Sequence, residues 1–285
     1  MVAKIPAAGV SLDGAVVVNE SSAAVDTRIE SNANTHMLFV DGTNNRVGVG
    51  TTPDLGTGLH IRTSDSGAAV HANGDNLVIE QSDKPGMSFV SGTSGFGTIY
   101  FSDGADANAY RGFIQYGHTA DQLIFGTSST THMKIDSIGA VTKPLQPAFR
   151  VKPASDQSNI AVAAWVEVVF GDISPAFDRN GDFASNTFTA PVTGRYQFNT
   201  HIRINAVDEA SSYYWIRLGT SNRAVYGTIY DLDGLGADPD YWTLSVSSFT
   251  DMDANDTCAV DIFQGSGAQQ VDISQYSSFS GYLVC

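Results

Sequence analysis

The run Phe188-Thr189-Ala190-Pro191-Val192-Thr193-Gly194-Arg195-Tyr196-Gln197-Phe198, with the residues after it, does most to restrict the fold. Pro191 has no amide proton for a sheet ladder and Gly194 allows a tight bend, so a turn precedes residue 195. Beyond it Tyr196, Phe198, Ile202 and Ile204 share one face, while Arg195, Gln197, Asn199, His201 and Arg203 share the other. A period of two predicts a long, half-buried strand of an antiparallel sheet. Glycine is abundant, and no stretch of 3.6-residue periodicity outcompetes the short alternating runs, so the chain reads as all-β.

The same run resembles the central motif of the globular head of complement component one-q, a tumour-necrosis-factor-like jelly roll. Other landmarks follow in the order of that family. Pro147-Ala148-Phe149-Arg150-Val151 resembles its opening strand, and Phe177-Asp178-Arg179-Asn180-Gly181-Asp182-Phe183 the loop before the motif. Asp256-Thr257-Cys258-Ala259-Val260 resembles its late strand, and Phe279-Ser280-Gly281-Tyr282-Leu283-Val284 its last. Asn255 stands where the family has glycine. The resemblance spans roughly residues 146 to 285. It implies a trimeric jelly-roll β-sandwich, with Trp165, Tyr196, Phe198, Phe279 and Tyr282 in the core or between protomers.

A hydrophobic content of 42% and an aromatic content of 10% are enough to fill real cores. The formal charge of −15 comes with no basic run, which argues against a nucleic-acid-binding face. Residues 1–11 lack the pattern of a secretory signal, and no run reaches membrane-spanning length, so assembly in a cytoplasm and release with a particle are expected. Cys258 and Cys285 are too few for a disulfide framework; buried thiols are the default reading and one bridge is the alternative.

Three segments follow. Residues 1–35 are small and polar and read as an attachment arm that orders against another virion protein. Residues 36–143 hold short strands between Gly, Asn, Asp and Ser turns. Here Phe39-Val40-Asp41-Gly42-Thr43-Asn44-Asn45-Arg46-Val47-Gly48-Val49-Gly50 resembles a hairpin unit of bacteriophage tail and fibre proteins. Ile99-Tyr100-Phe101-Ser102-Asp103 and Gly112-Phe113-Ile114-Gln115-Tyr116 resemble another phage-fibre pattern. Such short hairpins cannot bury both faces alone, which favours three copies wrapped about one axis; a monomeric sandwich is the alternative. The prolines of Thr142-Lys143-Pro144-Leu145-Gln146-Pro147 mark an extended connector, and residues 144–285 form the head.

No nucleophile motif, phosphate loop or zinc-protease signature is present, and the six histidines have no metal-ligand spacing, so no enzyme is expected. Asp231, Asp233, Asp238 and Asp240 share a glycine-containing loop that offers oxygen ligands for calcium; a solvated surface loop is the simpler reading. Asp251, Asp253 and Asp256, and separately Asp178 and Asp182, raise the same question. Tyr213, Trp215 and Tyr241 are candidates for stacking on a ligand. The expectation is an elongated homotrimeric phage fibre in the virion, with arm, β-rich shaft and head. Its head would attach to a host surface polysaccharide or outer-membrane protein. The alternatives are a capsid-bound head fibre or decoration protein and a glycan-cleaving tailspike, whose chemistry needs two carboxyl groups about 5–9.5 Å apart.

Overall fold

The computed structural model describes Val18 and residues 24–104 and 109–285, with the backbone alone for 172–176. Most of the arm assigned to residues 1–35 lies outside them. Among the described residues there is no α-helix, and therefore none long and apolar enough to cross a membrane. The chain divides after Val90 into two compact units.

The first unit carries a five-stranded sheet of β1 (Thr27–Ile29), β2 (Leu38–Asp41), β3 (Arg46–Val49), β4 (Leu59–Arg62) and β5 (Leu77–Glu80) in sequential order. The β2–β3 hairpin joins Asp41 to Arg46. The Asp41 carboxylate accepts the Thr43 and Asn44 amides, and Asn45 takes φ +56°, as an Asn-rich turn allows. Strands β3, β4 and β5 then run parallel, an arrangement that the hairpin pattern does not announce.

The second unit begins with an antiparallel meander of β6 (Phe96–Phe101), β7 (Gly112–Gly117), β8 (Gln122–Thr127), β9 (Thr130–Ile135) and β10 (Val141–Thr142). The segment read as a single shaft therefore carries two separate sheets. The register places Ile99, Phe101, Ile114, Tyr116, Leu123, Phe125, Met133 and Ile135 on one face of the meander. None of them joins the buried hydrophobic cluster of the head, and Phe101 is 57% exposed.

The head is built from β11 (Ala148–Lys152), β12 (Trp165–Glu167), β13 (Asp172–Asp178), β14 (Phe183–Ala184), β15 (Thr187–Thr189), β16 (Gly194–Asn205), β17 (Tyr214–Thr220), β18 (Ala224–Tyr226), β19 (Tyr241–Met252), β20 (Thr257–Gln264), β21 (Asp272–Ile273) and β22 (Ser278–Leu283). One sheet has the order β13-β11-β22-β16-β19, with β21 also on β16. The other has β14-β15-β20-β17-β18, with β12 also on β20. From β15 onward the long strands pass repeatedly from one sheet to the other. The head is a jelly-roll β-sandwich.

Its interior is aromatic. Phe149, Phe198 and Phe279 of the first sheet meet Phe183 and Phe188 of the second, and the Phe149 and Phe188 rings stack at 4.8 Å. Tyr196, Phe198, Ile202 and Ile204 all point inward and are fully buried, as the period-two pattern requires. The Tyr196 hydroxyl donates to the Val192 carbonyl at 2.7 Å and so ties strand β16 back over the Pro191–Gly194 turn. Burial holds this phenol above its ordinary pKa. Gly194 is needed because the chain end crosses it: a Cβ there would lie 2.8 Å from the Cys285 carbonyl oxygen. Tyr196→Phe removes the bond and leaves the ring; a loss of about 1–2 kcal/mol in urea unfolding is expected, and an unchanged midpoint would show the turn needs no such tie.

Asn255, the departure from the family pattern, adopts φ +75° in the β19–β20 turn. Asparagine tolerates the left-handed region better than other non-glycine residues, so the backbone demand of that turn is met without glycine. Cys258 is buried and Cys285 exposed, and both are free thiols. Burial pushes the Cys258 thiol far up from its ordinary pKa.

Candidate functional site

Strands β17 and β20 alternate strictly. Tyr214, Ile216 and Leu218 face the core with Cys258, Val260 and Ile262, which leaves Tyr213, Trp215, Arg217, Asp261 and Phe263 on the outer face. Register then assembles a row that sequence distance conceals: Trp165 of β12 lies beside Phe263 of β20, which lies beside Trp215 of β17. The Trp165 and Phe263 rings are 5.3 Å apart and the Trp165 and Trp215 rings 5.7 Å apart. Tyr226 stacks on Trp215 at 4.3 Å, and Tyr213 stacks on Phe263 at 5.5 Å.

A charged pair is set into this aromatic terrace. The Arg217 guanidinium lies 4.3 Å from the centre of the Trp165 ring and donates from Nε to Asp261 Oδ2 at 2.8 Å. The Trp215 indole N–H is spent on the Gly227 carbonyl, which fixes the orientation of the ring. Flat apolar surfaces around a rigid pair of polar groups suit a ligand with both C–H faces and hydroxyls.

Of the sequence candidates for a ligand face, Tyr213 and Trp215 lie in the terrace. Tyr241 lies on the other sheet, 3.9 Å from the guanidinium of Arg203. Tyr196, Phe198 and Phe279 are core residues. Trp165 is half-buried in the terrace, outside the buried cluster, because the register of β12 on β20 sets it beside the outward-facing Phe263. Tyr282 points outward from β22 and is 47% exposed. Phe263, Tyr226, Arg217 and Asp261 were missed by sequence reasoning, although the alternation in Thr257–Gln264 already sets Phe263 opposite Ile262.

Several carboxylates of the acidic loops are engaged within the protein. Asp231 accepts the Asp233 amide and Asp238 the Glu209 amide, while Leu232 is anchored in the core. Asp231, Asp233, Asp238 and Asp240 form no converging set of ligand oxygens. Asp178 accepts the amides of Gly181, Asp182 and Phe183 and closes its own loop. Asp256 accepts from Ser221 Oγ, from the Asp253 amide and from Asn222, and the Ser221 bond leads in holding its carboxyl below the usual range.

Among the described residues, the one group of three metal-ligand side chains within mutual reach is Asp54, His60 and Glu80. His60 Nε2 lies 2.9 Å from Glu80 and Nδ1 lies 3.4 Å from Asp54. Arg62 already sits on Asp54 at 2.8 Å and 3.7 Å from Glu80, so a guanidinium supplies the positive charge that a metal would bring. The Ser66 amide and hydroxyl occupy the other Glu80 oxygen, and the amide bond leads in keeping that carboxyl ionised to lower pH than usual. His60 and Glu80 are the buried part of a network that joins β4 to β5, and Asp54 is its exposed end.

No family model matches the chain, and no curated protein matches it. Solved structures similar to about half of the chain include the globular domain of zebrafish complement 1qA protein, with a TM-score of 0.36 and 22% identity over 49% of this chain and 98% of that one. Murine APRIL at pH 8.5 matches with a TM-score of 0.35 and 12% identity over 49% of this chain and 99% of that one.

Proposed function

We propose that this chain is a homotrimeric attachment fibre of a bacteriophage particle, a binding protein without catalytic function. Its head would hold a host-surface saccharide on the terrace of Trp165, Trp215, Phe263, Tyr213 and Tyr226. The observation that carries the assembly is the apolar face of the meander, whose eight side chains lie outside the buried core of the head, with Phe101 57% exposed. A single sheet with one such face is not independently stable in water, and further copies of the same chain are the simplest cover. The outward row Phe249, Gln197 and Tyr282 of the head offers a second apolar contact. The phage-fibre resemblance of residues 39–50 and 99–116 supports the particle context, and the jelly-roll resemblance supports three as the copy number. The terrace supports saccharide recognition, where three weak contacts on one fibre add to firm attachment.

Light scattering checks the assembly: a mass of three times the 30.2 kDa chain is expected, and a stable monomer would overturn the fibre reading. Titration of the trimer with host-surface oligosaccharides, followed by tryptophan fluorescence, checks the terrace. Trp165→Ala should weaken binding about tenfold while the mass stays trimeric, since loss of one well-packed aromatic anchor costs on the order of 1–2 kcal/mol or more.

A further inference from the structure

The outer face of the head sheet that bears the terrace is built in rungs across its strands. One rung is aromatic: Trp165, Phe263 and Trp215 stand side by side on β12, β20 and β17. The next outward rung is charged. Glu167 of β12 lies beside Asp261 of β20, which lies beside Arg217 of β17 and then Tyr226 of β18. The rung beyond it is small, with Ala259, Gly219 and Ala224. Successive outward rungs are about 6.5–7 Å apart, near the width of one sugar ring. A ring resting on the aromatic rung therefore brings its substituents to the charged one.

The sign of that rung is negative, since two carboxylates stand against one guanidinium. Arg217 gives its Nε to Asp261 Oδ2 at 2.8 Å and lies against the Trp165 ring, so its charge is balanced and part of its surface is covered. Glu167 is the unbalanced charge, because the partner it accepts from at 2.8 Å, Asn186 Nδ2, is neutral. Asn186 Oδ1 in turn accepts the Phe170 amide at 3.0 Å, which holds the amide and the carboxylate in place. A Cβ on Gly219 would lie 3.3 Å from Asp261 Oδ2, so the bare glycine leaves that carboxylate its room on the side of the small rung. Arg223, just before β18, is paired with Asp251 at 3.0 Å.

Resting on the saccharide reading above, we infer that the terrace takes a neutral or amino sugar and rejects an acidic one, and that Asp261 and Glu167 set this choice. A sugar hydroxyl or ammonium group donates to a carboxylate in a charge-assisted bond. A sugar carboxylate has no such place: it would have to share Arg217 with Asp261, and like charges so close disfavour one another. An unpaired like charge facing the wrong ligand is a direct source of specificity. The formal charge of −15 adds a background of the same sign.

Titration of the full chain with glucose, glucosamine and glucuronate at matched ionic strength, followed by tryptophan fluorescence, tests the choice. At low salt glucose and glucosamine should bind, and glucuronate should bind about tenfold more weakly or worse. The gap should narrow in about 1 M salt, where exposed charges are screened beyond roughly 3 Å; a purely steric rejection would not respond. In the double variant Asp261→Asn, Glu167→Gln the affinity for glucuronate relative to glucose should rise about tenfold. Glu167→Gln alone, an isosteric change at an exposed position, should raise it by a smaller factor and keeps the test open if the double variant fails to fold. Glucuronate bound as tightly as glucose at low salt, or an unchanged ratio in the variants, would overturn this inference and leave the terrace a saccharide site. Binding of none of the three sugars would overturn the saccharide reading itself, and this choice with it.

Discussion

Phe149→Ala should lower the stability of the head by about 3–5 kcal/mol, the range for removing a large ring from a closed core. Phe149 is 1% exposed and stands where the two sheets meet. Its ring contacts Phe183 and Phe188 across the sandwich, and Phe198 and Phe279 within its own sheet, at centroid distances from 4.8 to 6.3 Å. Four neighbours held by separate strands cannot all move in to fill the space, so a cavity remains. Against a typical stability of about 5–15 kcal/mol this is a large share. A calorimetric midpoint lower by about 10–20 °C is expected for a domain of this size. Phe149→Leu should keep most of the contact and lose roughly half as much. A loss below about 1 kcal/mol for the alanine variant would mean that the sandwich is held elsewhere, for instance by contacts between copies.

That core was largely legible in the sequence, and the reason is local. Tyr196, Phe198, Ile202 and Ile204 alternate within one strand of twelve residues, so their common face follows from the pleat alone. The hairpin from Leu38 to Val49 was legible for the same reason, since its turn residues sit between its own two strands. The terrace was only half legible. Tyr213 and Trp215 stand out as aromatics, but their meeting with Trp165 and Phe263 depends on how β12, β20 and β17 pair, and the paired residues Trp165 and Phe263, and Trp215 and Phe263, are far apart in the chain. The His60–Glu80 contact is hidden in the same way. It arises from the parallel register of β4 on β5, which no alternation pattern encodes. The Asp231–Asp240 loop shows the converse: a conspicuous cluster in sequence in which Asp231 and Asp238 accept backbone amides and the four carboxylates do not converge.

Gly281→Val should be more damaging than the cavity, from the opposite direction. Gly281 lies in β22 between Phe149 and Phe198 of the flanking strands. A Cβ added there would fall 2.5 Å from the Phe198 ring and 2.8 Å from that of Phe149, closer than carbon atoms can stand. Both rings are packed on all sides, so they cannot turn away without displacing Phe188 or Phe279. Overpacking of this kind costs about 1–3 kcal/mol for an added methyl and more for a branched side chain. Gly281→Ala is therefore the measurable form, and valine is expected to abolish folding of the head. The two effects must also be coupled. If the cause is the clash with Phe198, then Gly281→Ala combined with Phe198→Leu should be less destabilised than the sum of the single variants by about 1 kcal/mol or more, because each change supplies what the other lacks. Strict additivity in that double-mutant cycle, measured by urea unfolding, would show that Gly281 is required for its backbone and not for the room it leaves to the aromatic core.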